Sequence, residues 1–167
     1  MKSSKPRFVA DTMMGELARW LRIMGYDVVY SRYFSDKDLL RIASETDRII
    51  LTRDKRLHRR ATKMGVKSVY VESVEGPAYR LAEVSAKAGI ELEADPSKSR
   101  CPECNSELVS TSRESVAGRV PPVAGKTYHV FYLCPRCGRV YWEGSHWKNI
   151  RRIIGEARNL RNKLIGK

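Results

Sequence analysis

Along the first half of the chain, short apolar and β-branched runs alternate with stretches whose apolar positions recur at spacings of three and four. The runs are Phe8 to Ala10, Val28-Val29-Tyr30, Ile49-Ile50-Leu51 and Ser68-Val69-Tyr70-Val71. Between them, Leu17, Trp20, Leu21 and Met24 define one helical face and Leu39, Leu40 and Ala43 another; Leu57, Ala61 and Met64 form a third, and Leu81, Val84 and Ala88 a fourth. Gly25, Gly65 and Gly89 fall just past the expected helix ends. Ser35 has the chemistry of an N-cap, with Asp36 and Asp38 in the first turn after it. Such alternation predicts an α/β fold: a mostly parallel sheet with right-handed crossovers, in a small three-layer sandwich of four strand-helix units. Trp20 lies on the apolar stripe of the first helix and is read as core.

The pattern breaks at Asp95-Pro96-Ser97-Lys98-Ser99-Arg100, which reads as a linker. Beyond it cysteines enter, the helical period stops, and two strand-like runs follow, Val130 to Leu133 and Val140 to Trp142. From about Ser145 the helical period returns, with Ile150, Ile153, Ile154, Ala157, Leu160 and Leu164 on one face. The expected division is therefore an α/β domain over residues 7–95, a cysteine-bearing segment over 98–147 and an amphipathic helix over 148–167.

Charge narrows the function. The 167 residues carry 32 Lys and Arg against 19 Asp and Glu, a net +13, and the last twenty hold seven Lys and Arg against one Glu. A balance of this kind points to a polyanionic partner, nucleic acid before an anionic membrane. The 42% apolar content suffices for a packed core and argues against wholesale disorder. No run approaches the ~20 apolar residues of a membrane span. The opening Met1-Lys2-Ser3-Ser4-Lys5-Pro6 has no signal-peptide core, so a cytoplasmic location is expected. Lipid-surface binding by the tail helix is disfavoured, because Trp147 is its one large aromatic anchor.

The cysteines form two matched pairs, Cys101-Pro-Glu-Cys104 and Cys134-Pro-Arg-Cys137-Gly138. A two-residue gap lets two thiolates and the intervening amides wrap one Zn2+, and two such knuckles complete a closed tetrahedral site. Disulfides, a redox pair and unpaired thiols are the competing readings, disfavoured in a reducing compartment. The 29 residues between the pairs predict an inserted loop, with its tip at Gly118 to Gly125 around Pro121-Pro122. His129 and His146 lie near this segment and His58 lies in the third helix, without an assigned role.

Three acids occupy points where strand gives way to helix: Asp11, Asp36 (with Asp38 close behind) and Asp54. Carboxylates at the carboxyl ends of parallel strands point into the crevice where open α/β sheets bind ligands. Gathered there, they would hold Mg2+ or Mn2+ and leave positions for substrate oxygens, as phosphodiester hydrolysis requires. The competing reading makes Asp36 and Asp38 helix-start acids and Asp54 a cap. Spacing alone leaves both standing.

The segment from Asp11-Thr-Met-Met-Gly15-Glu-Leu17-Ala18-Arg19-Trp20-Leu21-Arg22 to Gly25-Tyr-Asp27 resembles the opening signature of the Mut-seven C-terminal RNase family. The likeness continues through Ser35-Asp36-Lys-Asp38-Leu39-Leu40, Ile50-Leu51-Thr52-Arg53-Asp54, both cysteine knuckles and Tyr141-Trp142-Glu143-Gly144-Ser145-His146-Trp147, spanning about residues 7–147. The resemblance implies a PIN-like, metal-dependent ribonuclease domain followed by a zinc ribbon. It matches Asp11 and Asp54 to strand-end metal ligands and Asp36 to the helix-start acid, with Asp38 as a substitute. PIN nucleases commonly gather a further acid shortly after the position of Asp54, where this chain has Lys55-Arg56.

RNA is then the expected partner, whether structured RNA or ribosomal particles. Arg19, Arg53, Lys55, Arg56, Arg59 and Arg60 (with Lys63) are candidate phosphate contacts beside the acids. Arg136 and Arg139, among Tyr141 and Trp142, suit the ribbon to RNA, and Arg151, Arg158 and Arg161 suit the tail. The rival reading is a non-catalytic RNA- or ribosome-binding adaptor on the same fold. Homodimerisation is left open.

Overall fold

The computed structural model describes residues 4–166. Its first eight elements are β1 (Phe8–Ala10), α1 (Gly15–Ile23), β2 (Val28–Tyr30), α2 (Asp36–Thr46), β3 (Ile49–Thr52), α3 (Lys55–Lys63), β4 (Ser68–Tyr70) and α4 (Pro77–Ala88). Apolar runs short enough to be covered on both faces make strands of a buried parallel sheet. The order is β2-β1-β3-β4, with every neighbouring pair parallel. Successive side chains leave opposite faces. Phe8, Ala10 and Leu51 therefore pack with α1 and α4, while Val9 and Ile50 pack with α2 and α3. The result is the expected three-layer α/β sandwich.

Strand order has a consequence for function. From β1 the chain moves to β2 on one side and then returns to place β3 on the other. Such a reversal opens a crevice above the carboxyl ends of the two central strands, here β1 and β3.

The cysteine segment forms an antiparallel sheet in the order β5-β6-β7, from Val109–Ser112, Val130–Leu133 and Val140–Tyr141. Strand β5 has little apolar character and is made by pairing, Val109 opposite Leu133 and Thr111 opposite Phe131. The stretch expected as a loop tip is instead partly helical. A 3-10 turn at Glu114–Val116 leads to α5 (Pro122–Thr127), whose first residue needs no amide donor and is well served by proline. Val116 and Ala124 are buried, which fixes this insertion on the ribbon.

The last helix, α6 (His146–Ile165), is longer at its start than the expected 148–167 unit. Trp147, Ile150, Ile153, Ile154 and Ala157 are buried in the same core as α1 and α4. Leu160 is half-buried, and Leu164, expected on the stripe, is exposed. A helix of this length needs a partner surface in water, and α4 supplies it. No helix among the described residues is long and apolar enough to cross a membrane.

Strand β2 is an edge, yet the backbone of Val28 is satisfied from the ribbon and from α1. The Val28 amide donates to Asn105 Oδ1 at 3.0 Å, and Val28 O accepts from Arg22 Nε and Nη2 at 3.0 and 2.8 Å. Arg22 reaches on to Pro102 O at 2.9 Å and is buried; Asn105 Nδ2 donates to Asp27 Oδ1 at 2.7 Å. Asn105 holds φ 72°, a left-handed backbone that asparagine tolerates better than most residues. Burial works against the Asp27 charge, but hydrogen bonds from Arg48 and Asn105 hold its carboxyl below the usual range. The first knuckle is thus clasped to the α/β sheet.

Candidate active site and metal centre

Asp11 directly follows β1, and its amide extends the ladder by donating to Leu51 O at 2.9 Å. That register sets Asp11 beside Thr52. Its Oδ2 accepts from Thr52 Oγ1 at 2.7 Å, and its Oδ1 accepts from the Thr12 amide at 2.6 Å. Thr52 Oγ1 in turn accepts from the Asp54 amide at 2.9 Å. Thr52 is fully buried and Asp11 nearly so. A buried hydroxyl that donates its one hydrogen and accepts another has its orientation set, so it fixes the side chain that it touches. Thr52 has no role legible in the sequence beyond a faint signal, a hydroxyl two residues before an acid at the end of an apolar strand. Behind this site the Tyr30 hydroxyl donates to Thr12 O at 2.9 Å. A Cβ on Gly15 would stand 3.0 Å from that hydroxyl, so the glycine admits the ring.

Asp54 caps α3 through Oδ1, which accepts from the Arg56 and Leu57 amides at 2.8 and 3.3 Å. Among the described residues, no side chain or amide donates to its Oδ2 or to Asp36. Burial first, then the neighbouring carboxylates Asp54 and Asp11, raise the Asp36 pKa, while Arg60 draws it down. The Asp36 carboxyl therefore lies within electrostatic reach of Asp11 and Asp54, which end the two central strands. Asp38 is spent elsewhere. Its Oδ2 accepts from the Ser35 amide at 2.9 Å while Ser35 Oγ accepts from the Asp38 amide at 3.1 Å, a reciprocal cap on α2. That cap holds the Asp38 carboxyl below its ordinary range.

Lys55, Arg56, Arg59, Arg60 and Lys63 are exposed along α3, and Arg53 is half-buried before it. His58 faces the sheet, its Nδ1 2.6 Å from Ser68 Oγ. The other candidate cations are more engaged. Arg19 pairs with Glu103, and Arg151 pairs with Glu143 and stands 5.5 Å over the Trp147 ring. Arg158 Nε donates to Leu92 O at 2.7 Å, and Arg161 is half-buried near Ser85, so these two face the α/β domain. Arg136 is exposed beside the second knuckle.

Cys101, Cys104, Cys134 and Cys137 bring their sulfurs within 4.8 Å of one another. Cys101 Sγ stands 3.6 Å from Cys137 Sγ, and Cys104 Sγ stands 3.4 Å from Cys134 Sγ. A tetrahedron with Zn–S bonds of about 2.3 Å has an edge of about 3.8 Å. The quartet has the donor chemistry and nearly the spacing of a closed thiolate site for a metal such as zinc. Among the described residues it is the one group of three or more Cys, His, Asp or Glu ligands gathered so tightly; the aspartates stand further apart.

The family model of the Mut7-C RNAse domain matches residues 6–154, which takes in the α/β domain, both knuckles and the start of α6. No curated protein and no solved structure matches the chain. The family's description indicates a ribonuclease-type function. With 149 of 167 residues inside the match, the chain belongs to the Mut7-C RNAse domain family.

Proposed function

We propose that the protein is a metal-dependent endoribonuclease with a PIN-like α/β domain, whose Asp11, Asp36 and Asp54 hold Mg2+ or Mn2+. The observation that carries this is the placement of Asp11 and Asp54 at the ends of the two central strands, with Asp36 near enough that both carboxylates add to burial in raising its pKa, in a +13 protein. Neighbouring carboxylates hinder one another's ionisation, and a cation between them relieves that. Carboxylate oxygens are the hard donors that Mg2+ and Mn2+ take, and Asp54 Oδ2 and Asp36 are free to give them. A divalent ion bound there supplies positive charge to the scissile phosphate and acidifies water.

The chain's own residues do the rest. Thr52 and the Thr12 amide hold Asp11 in one rotamer, so its orientation costs nothing at the moment of reaction. The α3 cations Lys55, Arg56, Arg59 and Arg60 take flanking phosphates and set the strand across the crevice. Water attacks phosphorus in line, the bond to the 3′-oxygen breaks, and that oxygen leaves protonated. The fragments then carry a 5′-phosphate and a 3′-hydroxyl. The cysteine quartet holds a structural zinc, and the ribbon serves as a docking platform for RNA.

A second reading has a specific observation behind it. Lys55-Arg56 stands where a further acid is common, which favours an RNA-binding adaptor with weak hydrolysis. Incubating the purified protein with RNA and Mn2+, and mapping the ends, separates the two. New 5′-phosphate ends that require Mn2+ support the nuclease; binding without new ends supports the adaptor.

A further inference from the structure

A cavity of about 220 Å³ lies where α1, the ribbon and α6 meet, lined by rings of Tyr132, Tyr141, Trp142 and Trp147 together with Arg19 and Arg100. We infer that it holds one unpaired base of an RNA strand, with the flanking phosphate on the two arginines.

Packed interiors close over apolar rings. Here four rings from the ribbon and α6 converge and leave space between them, small beside the roughly 300–1,000 Å³ of drug-sized pockets and suited to one planar group. Every nucleobase offers a π-face to such rings, and base–aromatic stacking is tolerant of sequence. Among the described residues neither the Tyr132 hydroxyl nor the Trp142 indole nitrogen is hydrogen-bonded, whereas the Tyr141 hydroxyl is turned to Cys101 Sγ at 3.1 Å. Arg19 pairs with the exposed Glu103; Arg100, anchored through Nε to Asn105 O at 2.9 Å, keeps Nη1 3.5 Å from the exposed Glu107. Exposed pairs of this kind contribute at most about 1 kcal/mol and exchange readily for a phosphate. A planar group next to an anion, in a protein of charge +13, is a nucleotide before it is a lipid or an apolar side chain. A base can enter only when it is splayed out of a helix, so the strand seated here is single.

Arg19 lies in the middle of α1, whereas Asp11 precedes its start. Nine residues at 1.5 Å each make α1 about 13 Å long. A strand pinned in the cavity runs along much of that helix to reach the carboxylates, so the bound base selects single-stranded substrate and sets its register over the cut. This rests on the proposal that RNA is the polyanion, and not on hydrolysis.

The test uses the full zinc-loaded chain carrying Asp11→Asn, so that bound RNA stays whole. A single-stranded oligouridylate containing 4-thiouridine is crosslinked, and the modified residues are mapped by mass spectrometry. Crosslinks at Tyr132, Tyr141, Trp142 or Trp147 are expected besides those on α3. Trp142→Leu is expected to weaken oligouridylate binding about tenfold and to leave binding of a duplex unchanged. Should that variant disturb the ribbon, the crosslink map of the parent chain still decides. Crosslinks confined to α3 and the strand ends would overturn the inference and leave the nuclease standing. No crosslink anywhere, together with no metal-dependent cleavage by the chain with Asp11 intact, would bring down both.

Discussion

Thr52 Oγ1 stands 2.7 Å from Asp11 Oδ2 and 2.9 Å from the amide of Asp54, so one buried hydroxyl joins the ends of the two central strands. Thr52→Val keeps the shape and removes both bonds, leaving the Asp54 amide without its acceptor. The expected cost is about 1–3 kcal/mol in stability. Metal-dependent cleavage should fall about tenfold or more, because Asp11 loses its orientation. Thr52→Ser, which restores the hydroxyl, should recover most of both. Urea unfolding and a cleavage assay on the pair check it; equal rates for Val and Ser would mean that the hydroxyl serves folding alone.

Asp36 gives a pH dependence whose sign is fixed by its raised pKa. A carboxyl that is harder to ionise in the folded state destabilises that state as pH rises through its folded pKa, and has no effect when both states are protonated. Asp36→Asn should therefore raise the melting temperature at pH 7 without added divalent metal, and the gain should vanish near pH 3. Added Mn2+ should reverse the ranking by stabilising the parent protein more. A variant less stable than the parent at pH 7 without added metal would contradict the raised Asp36 pKa.

Asp38 separates a structural acid from the candidate ligands. Its carboxylate closes the cap on α2, so Asp38→Ala should lower the melting temperature. Cleavage at a temperature where the variant is folded should be unchanged, whereas Asp36→Ala should lose it. Parallel melting curves and rates are the measurement.

The clasp between knuckle and sheet predicts where metal removal is felt. Asn105 follows Cys104 and accepts from the Val28 amide, so stripping the thiolate-bound metal should expose the edge of β2 as well as the ribbon. Hydrogen exchange should show the Val28 amide losing protection on chelation while β3 amides keep theirs. Protection at Val28 that survives while the ribbon unfolds would show two independent cores.

The strands of the α/β domain were legible because each is a short apolar run, and the helices because Leu17, Leu21 and their counterparts keep the helical period. Strand β5 was not, since Val109-Ser-Thr-Ser carries no such signal and becomes a strand only by lying against β6. The acids could be named from sequence, but their convergence depends on β3 returning beside β1, a pairing over forty residues that no local pattern encodes. Thr52 and Asn105 were hidden for the same reason, because their partners are distant in the chain. The α6 stripe was legible but its partner was not, and the opposite face proved less free than charge alone suggested: Arg158 is tied to Leu92 O.

On the proposed mechanism Asp11, Asp36 and Asp54 form one metal-dependent catalytic site, on a basic surface that binds RNA independently of them. The most direct measurement is cleavage and binding of the same RNA by the parent chain and by Asp11→Asn, over a Mn2+ titration. The expected result is Mn2+-dependent cleavage by the parent, none by Asp11→Asn at any Mn2+ concentration, and equal or tighter RNA binding by the variant. Cleavage by Asp11→Asn at the parent rate would contradict it.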